Sequence, residues 1–276
     1  MDFIEILKAI LFGIVEGITE WLPISSTGHM ILLDEFVKLN VSPAFWNLFL
    51  VVIQLGAILA VVVLFFDKLN PFSRRKTEQE KKNTYSLWGK VIVGAIPAAI
   101  FGVLLDDFLE AYLNGYIVVA ITLVAYGVAF ILVEKINKTR AFRVDEVGDL
   151  TYRDALTIGA YQVLSLIPGT SRSGSTILGG ILSGVSRAAS AEFSFFMAIP
   201  IMLGASGLKV LKFILSGATV SGGEIGLLLI GMAVAFAVSL LIIKFLMDFV
   251  RKHSFAPFGI YRIVLGVLVL GYFIFK

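Results

Sequence analysis

The residues most able to do chemistry lie in a short polar stretch near the N-terminus, inside otherwise apolar sequence. Glu16 and Glu20 are four residues apart, so a helix would place both carboxylates on one face. Each carboxylate costs about 2.5–3.5 kcal/mol to insert into a membrane, and two side by side repel each other. Either one is protonated, or an oxygen-liganded cation such as Mg²⁺ or Ca²⁺ lies between them. Glu16 and Glu20 are therefore candidate metal ligands.

Three consecutive hydroxyl residues, Ser25, Ser26 and Thr27, follow Pro23, and His29 comes soon after. A hydroxyl and an imidazole this close are typical of a nucleophile and its general base. As an alternative, helix-end carboxylates beside N-capping hydroxyls would explain the same residues structurally. We favour a functional role because so many polar groups are concentrated in one apolar segment.

A second polar cluster occupies residues 168–176. It contains one fixed positive charge, Arg172, two glycines whose backbone N–H groups can converge, and several hydroxyls, among them Ser171, Ser173 and Thr176. An arginine with hydroxyls at the start of a helix is what a phosphoryl group requires. The structural alternative is a flexible Gly/Ser turn whose arginine reaches a lipid headgroup. We predict an anion site, although these residues do not specify which anion.

The elements that carry both clusters are predicted to be membrane helices. Of the 276 residues, 58% are hydrophobic and 16% are charged, against about 45–50% and 25% in soluble domains. Six apolar runs approach or exceed the length needed to cross about 30 Å of hydrocarbon. They lie near residues 45–66, 88–105, 114–134, 191–212, 225–247 and 258–275. Polar Pro/Ser/Gly clusters interrupt the segments 3–40 and 150–185, which predicts two re-entrant helix pairs.

The two halves of the chain repeat one another. The stretches Gly13–Glu16 and Ser26–Leu32 align with Gly159–Gln162 and Arg172–Leu178 at an offset of 146. Pro23 aligns with Pro168, and Gln54–Ala57 aligns with Met202–Ala205, so the offsets stay between 145 and 148. Apolar helices rarely give such a constant offset by chance. We therefore predict a single membrane domain, 1–276, with a first repeat over 1–140 and a second over 147–276. Since Gln162 replaces Glu16, the first half is expected to supply the metal ligands and nucleophile, and the second the phosphate-binding residues.

Loop charges predict that the repeats have opposite orientations. Loops 67–83 and 135–153 carry six and five Lys/Arg residues, which assigns both to the cytoplasm. The loop 106–113 has acidic residues only and is expected outside, whereas its counterpart 248–258 is basic and is expected inside. The acidic residues are Asp106, Asp107 and Glu110. The predicted fold is an all-α polytopic membrane protein with an inverted-topology repeat, about six transmembrane helices and two re-entrant pairs.

Other features narrow the range of functions. There are no cysteines, which excludes disulfides and thiolate catalysis. The two histidines, His29 and His253, are too few for a multi-histidine zinc site. No segment resembles a P-loop, a dinucleotide-binding fold or a nucleic-acid-binding surface, so no nucleic-acid partner is expected. Arg187 and Glu192 are predicted to form an ion pair.

Together, the two polar clusters resemble the undecaprenyl-diphosphate phosphatase family, the bacitracin-resistance proteins. The first fits the pattern Glu-Gly-x-Thr-Glu-Trp/Phe-Leu-Pro-x-Ser-Ser-Thr-Gly-His, and the second fits Pro-Gly-x-Ser-Arg-Ser-Gly-x-Thr. Val52–Ala57, Gly184–Phe195 and Phe258–Arg262 also look like segments of this family. The resemblance covers nearly the whole chain, with loop 67–83 as the part that we cannot match.

The resemblance implies hydrolysis of undecaprenyl diphosphate to the monophosphate carrier of cell-wall polymer synthesis, with a divalent cation as cofactor. It implies that Ser26 is the nucleophile and His29 its base, while Glu16 and Glu20 are catalytic or metal-linked. His29 or a metal-bound water remains an alternative nucleophile. The residues expected to bind the substrate are Arg172, Ser171, Ser173, Thr176, Thr27 and Ser25.

A lipid diphosphate suits these positions because its isoprenoid tail can stay in the bilayer while the headgroup enters between helices. The resemblance implies the bacterial cytoplasmic membrane, with an active site open to the outer face; a homodimer is left open. The main alternative is a lipid-phosphate transporter without hydrolysis, because inverted repeats are common in transporters. The polar groups of the first cluster argue against it, since neither transport nor a lipid-binding scaffold needs a nucleophile.

Overall fold

Long apolar helices make up most of the protein. A computed structural model describes residues 2–113 and 115–275, with the backbone alone at positions 106, 107 and 110. The helices are α1 (Phe3–Thr19), α2 (Ser26–Phe36), α3 (Pro43–Leu64), α4 (Phe66–Leu69), α5 (Glu78–Tyr112), α6 (Tyr116–Ile136), α7 (Tyr152–Val163), α8 (Arg172–Leu182), α9 (Arg187–Leu215), α10 (Gly222–Lys252) and α11 (Ala256–Phe275). No β-strand forms within these described ranges, so the all-α class is confirmed.

Within the residues that the structure describes, six helices are long and apolar enough to cross a membrane: α3, α5 over Glu78–Leu105, α6, α9, α10 and α11. Local chemistry fixes where they begin. Ser42 caps α3 just before Pro43, a favoured residue in a first turn, and Thr77 with Glu80 forms a capping box at α5. The predicted six spans are confirmed, and the chain is a multi-pass membrane protein.

The two segments predicted to be re-entrant form pairs of shorter helices. We call α1–α2 the first hairpin and α7–α8 the second hairpin. In both, the chain breaks in a polar turn and then starts a helix of eleven residues, α2 or α8. Ser25 and Ser171 precede these helices with φ values of 72° and 74°, in the left-handed region. Both hairpins therefore use the same turn to start their second helix.

Glycines allow each hairpin to pack closely on a long helix of the other half. A Cβ added to Gly13 of α1 would lie 2.6 Å from the carbonyl oxygen of Gly231 on α10. A Cβ on the equivalent Gly159 of α7 would lie 2.1 Å from the carbonyl oxygen of Gly94 on α5. Small residues are required at such backbone contacts. In both halves, then, the hairpin packs against a long helix of the other half. The opposite orientation of the two halves in the membrane stays a prediction.

The connection after α5 differs from the prediction. Helix α5 continues to Tyr112, so most of the predicted loop 106–113 is helical. Between Gly102 and Gly115 the sequence contains no proline or glycine. The 35 residues of α5 make a helix of about 52 Å, which is longer than the hydrocarbon layer. The side chains of the acidic residues used to orient this loop lie outside the described residues.

The predicted ion pair between Arg187 and Glu192 is wrong. Arg187 Nε donates to Glu134 Oε1 at 2.9 Å, and Lys68 Nζ donates to Glu192 Oε1 at 2.7 Å. Residues five positions apart on a helix point about 140° away from each other. Arg187 and Glu192 therefore face different neighbours from α9.

Candidate active site

The first hairpin holds two carboxylates at the end of a buried helix. Glu16 lies in the last turn of α1 and Glu20 is its C-cap, and they are only 1% and 5% exposed. The left-handed conformation of Ser25 reverses the chain after them. Ser25 Oγ then accepts from the Gly28 N–H at 3.3 Å, which caps α2. This cap makes Ser26 the first residue of α2 and brings it back to the carboxylates.

The second hairpin repeats this turn with a different residue at the start of the helix. Ser171 Oγ accepts from the Gly174 N–H at 3.2 Å and caps α8. Arg172 is the first residue of α8, the position that Ser26 has in α2. The two equivalent helix starts thus present a hydroxyl in one half and a guanidinium in the other.

Glu20 joins the two hairpins. Its Oε2 accepts from Ser26 Oγ at 2.9 Å, and its Oε1 accepts from Arg172 Nη2 at 2.8 Å. The side chains of Arg172 and Glu20 are 10% and 5% exposed, so this ion pair is shielded from water. Such a pair requires further hydrogen bonds to offset its desolvation. The structure therefore brings a hydroxyl, a carboxylate and a guanidinium together in one row, in which Ser26 is half-buried and the ion pair is shielded.

Arg172 has additional partners on its other side. Nη1 donates to the carbonyl oxygen of Ser194 at 2.8 Å and to Ser194 Oγ at 3.1 Å. The guanidinium carbon lies 5.5 Å from the centre of the Trp21 ring, a cation–π contact. Ser194 belongs to α9, so a membrane-spanning helix helps to fix the guanidinium.

The hydroxyls predicted to bind substrate differ in accessibility. Thr27 is exposed and Ser171 is half-buried, whereas Ser25, Ser173 and Thr176 are buried. Ser173 Oγ lies 3.3 and 3.4 Å from two backbone carbonyl oxygens of the first hairpin. Thr176 Oγ1 lies 2.9 Å from the carbonyl oxygen one turn earlier in α8. Their roles in substrate binding stay predictions.

Both ring nitrogens of His29 have partners other than Ser26 among the described residues. Nδ1 lies 2.8 Å from the Ser25 carbonyl oxygen, and Nε2 lies 2.7 Å from the Tyr261 hydroxyl, whose ring stacks on the imidazole. Because a carbonyl oxygen can only accept, Nδ1 carries the proton, and Nε2 of the neutral ring accepts from Tyr261. The hydroxyl of Ser26 bonds instead to Glu20, and the catalytic roles of Ser26 and His29 stay predictions.

Glu16 and its counterpart Gln162 are both buried with unpaired polar atoms. Glu16 Oε1 and both amide atoms of Gln162 have no hydrogen-bond partner among the described residues. Buried polar atoms are normally paired, so a free carboxylate oxygen adjacent to Glu20 suits a cation. Over the same described ranges, no group of three or more His, Asp or Glu side chains converges on one metal position. The protein would therefore supply only part of a coordination shell.

Arg262 of α11 connects the turns of the two hairpins. Its guanidinium is fully buried. Nη1 donates to the carbonyl oxygen of Pro23 at 3.1 Å, and Nη2 donates to those of Gly169 and Thr170 at 2.9 and 3.0 Å. One side chain thus satisfies carbonyl groups that the two breaks leave without helical partners.

The contacts of Ser194, Tyr261 and Arg262 did not follow from sequence reasoning. The sequence signal for these residues was the resemblance of Gly184–Phe195 and Phe258–Arg262 to the family. It indicated that the two segments are important but assigned no role to any of their residues. The contacts themselves join residues up to 239 positions apart, and spacing along the chain does not reveal them.

These features define a polytopic helical membrane protein with a buried Ser/Glu/Arg site between two helical hairpins. Residues 9–268 match the sequence model of the family described as bacitracin resistance protein BacA, and the chain belongs to this family. A protein named undecaprenyl-diphosphatase from Enterococcus faecalis is 60% identical over 272 residues, 98% of each chain.

Two further relatives carry the same name. The one from Streptococcus mutans is 57% identical over 277 residues, covering 100% of this chain and 99% of the relative. The one from Desulfitobacterium hafniense is 56% identical over 274 residues, covering 99% and 98%. The resemblance stated from the two polar clusters is thus confirmed.

Proposed function

We propose that this protein hydrolyses undecaprenyl diphosphate to undecaprenyl phosphate and inorganic phosphate. It would recycle the lipid carrier for cell-wall polymer synthesis and confer resistance to bacitracin. The observation that carries the proposal is the row Ser26–Glu20–Arg172, in which a nucleophile, a base and a phosphate-binding cation meet inside a membrane protein. Transport without hydrolysis would not require this row, and no feature of the described residues favours it.

The geometry supports Glu20 as the group that accepts the Ser26 proton, because the Ser26 hydroxyl already donates to it. Ser26 Oγ would form a bond to the terminal phosphorus while the bond from that phosphorus to the bridging oxygen breaks. Undecaprenyl phosphate would leave with the electron pair of this bond. Water would then hydrolyse the phosphoserine and release inorganic phosphate. Removal of a proton by a positioned base typically contributes about 10²–10⁴-fold to a rate.

Arg172 would neutralise charge on the transferring phosphoryl group, since a guanidinium binds phosphate through directed hydrogen bonds. Its Nη2 bonds to Glu20 in this structure, so the phosphate would share that donor or displace the carboxylate. The accessible hydroxyls of Thr27 and Ser171 are the best placed to add contacts. We retain His29 as a second acid–base group, because it is three residues after Ser26 and therefore lies on the same face of α2.

A divalent cation fits the first hairpin. Glu16, with its unpaired buried oxygen, and Glu20 would hold the ion, and phosphate oxygens of the substrate would complete the shell, as is usual for Mg²⁺. When bound, Mg²⁺ or Ca²⁺ would supply positive charge beside the diphosphate. Glu16 would act mainly in binding this ion, since Glu20 already contacts Ser26 and Arg172.

We further propose that the two repeats are inverted and that the site opens to the outer face of the bacterial cytoplasmic membrane. The basic loops 67–83 and 135–153 support this orientation. A cysteine introduced at Thr27, which is exposed, tests it, because the wild-type chain has no cysteine. A membrane-impermeant maleimide added to intact cells should label it, and labelling only after lysis would argue for the opposite orientation.

The function is tested with purified protein in detergent, given undecaprenyl or farnesyl diphosphate and Mg²⁺. Released phosphate is measured. Wild type should release it, and Ser26→Ala and Arg172→Ala should abolish release. A wild-type protein that binds the lipid and releases no phosphate would contradict the enzyme proposal.

A further inference from the structure

A guanidinium recognises phosphate only in a defined orientation, and the orientation of Arg172 is set by two different groups. Glu20 accepts from Nη2 on one side, and Ser194 accepts twice from Nη1 on the other. Glu20 also contacts the Ser26 hydroxyl, so it belongs to the reacting groups. Among the described residues, Ser194 contacts none of the other proposed catalytic groups, and it lies outside both hairpins, on α9.

Ser194 is bound into a small buried network. It is fully buried, as is Thr176. Thr176 Oγ1 donates to Ser194 Oγ at 2.7 Å, so Ser194 Oγ accepts from both Thr176 and Arg172. Since Thr176 lies one turn after Arg172 on α8, these contacts fix the guanidinium relative to both α8 and α9.

We propose that Ser194 is a positioning residue that orients Arg172 for a phosphate, and that Thr176 acts with it from behind instead of contacting substrate. The inference rests on the proposed function, in which Arg172 binds the diphosphate. An arginine side chain that is not held in place adopts many rotamers. A guanidinium that is already oriented therefore loses less conformational entropy when it binds an anion. The backbone of a membrane-spanning helix provides a rigid support for such an anchor.

The competing explanation is that Ser194 only fills space between α8 and α9. The chain contains a matched control for this explanation in Ser190. Ser190 is also fully buried and lies on α9, one turn before Ser194. It also faces α8, because a Cβ added to Gly180 of α8 would lie 2.4 Å from the Ser190 hydroxyl oxygen. Its hydroxyl contacts the Val185 carbonyl oxygen at 3.4 Å and, within the part of the chain that the structure describes, makes no hydrogen bond with Arg172.

The first experiment measures phosphate release from farnesyl diphosphate by wild type, Ser194→Ala, Thr176→Val and Ser190→Ala. We expect Ser194→Ala to lower kcat/KM about tenfold, the effect of one hydrogen bond to a charged group, with a similar or smaller loss for Thr176→Val. Ser190→Ala should stay within about twofold of wild type, because the hydroxyl that it removes bonds to the Val185 carbonyl oxygen and not to Arg172. Equal losses in Ser194→Ala and Ser190→Ala would show a packing effect and overturn the proposal.

The second experiment is a double-mutant cycle with Arg172→Lys, which keeps the charge but removes the planar guanidinium. If Ser194 acts through this guanidinium, Ser194→Ala should change kcat/KM less than about twofold in the Arg172→Lys background. The same tenfold loss in both backgrounds would contradict the proposal.

A binding measurement separates failure of this inference from failure of the proposed function. Farnesyl diphosphate should raise the thermal unfolding temperature of wild type, and Ser194→Ala should need about tenfold more ligand for the same shift. If wild type binds but releases no phosphate, the proposed function fails while this comparison still tests Ser194. If Ser194→Ala binds like wild type and retains full activity, the inference fails alone.

Discussion

The two hairpins have nearly the same backbone and very different side chains. Each starts an eleven-residue helix after a serine with a φ near 70°, capped in the same way. In the first hairpin the positions that follow offer Ser26 and His29, both half-buried, with two glutamates behind them. In the second, Ser173 and Thr176 follow Arg172, and their buried hydroxyls bond to backbone and to α9.

This difference shows how a duplicated element can divide its duties. The turn conformation is common to both copies, since a serine with positive φ caps the following helix in each. The groups proposed to react are concentrated in the first copy, where Glu16 and Glu20 stand at positions that hold Gln162 and Leu166 in the second. The second copy contributes a fixed charge and the structure that orients it. Each copy alone would hold half of a site.

The largest effect is expected from removing the hydroxyl that begins α2. Ser26→Ala should lower kcat by on the order of 10³-fold or more, because a nucleophile cannot be replaced by its neighbours. Phosphate release under saturating farnesyl diphosphate measures this. The control is Ser175→Ala in the second hairpin, at the position equivalent to His29, which should stay close to wild type. An active Ser26→Ala enzyme would assign the attack to His29 or to a metal-bound water.

A somewhat smaller loss is expected when the carboxylate that joins the hairpins becomes an amide. Glu20→Gln keeps an acceptor for Ser26 but removes the negative charge that pairs with Arg172, so we expect a loss of about 10²–10⁴-fold in single-turnover rate. Glu192→Gln provides the comparison, since Glu192 is also a buried carboxylate paired with a cation but lies outside this site. Similar losses in both variants would indicate a general requirement for buried ion pairs.

An intermediate effect is expected from making the first hairpin more like the second. Glu16→Gln introduces the residue type found at position 162. We expect the Mg²⁺ concentration for half-maximal activity to rise about 10–100-fold, because one carboxylate ligand is lost. A Mg²⁺ titration after treatment with EDTA measures it. An unchanged titration curve would remove Glu16 from the proposed metal site and leave it a structural role.

The smallest effect concerns the shared turn and should be the same in both hairpins. Ser25→Ala and Ser171→Ala each remove an N-cap at a position with left-handed backbone conformation. Each should therefore lower the free energy of unfolding by about 1–2 kcal/mol. Ser25→Gly and Ser171→Gly should cost only a few tenths of a kcal/mol, because glycine adopts positive φ freely. Thermal unfolding in detergent compares all four variants. A large cost at one hairpin only would show that the two turns are not equivalent in energy.

The sequence predicted the features that depend on local composition. The six spans follow from apolar length, and the breaks near Pro23 and Pro168 follow from turn residues within one segment. The end of α5 was placed too early because acidic residues were interpreted as a loop, although nothing in 106–112 stops a helix. Local patterns of this kind indicate where an element lies, but not the residue at which a long helix ends.

The sequence selected residues that the structure brings together, but it did not predict how they contact one another. It selected Glu20, Ser26 and Arg172, but it paired Ser26 with His29 because the two are close along the chain. The contact between Arg172 and Glu20 joins positions 152 apart, and the support from Ser194 comes from a third helix. Which neighbour a polar side chain selects depends on how helices pack, and that arrangement is not contained in the spacing of either motif.

The contacts of Arg262 have a consequence for biosynthesis. Its guanidinium bonds to the turns of both hairpins from α11, which follows both of them in the sequence. Until the ribosome has made α11, the carbonyl groups of those turns lack this partner. The site can therefore reach its final form only after α11 has inserted, so a nascent chain or a product truncated before α11 should enter the membrane without becoming active.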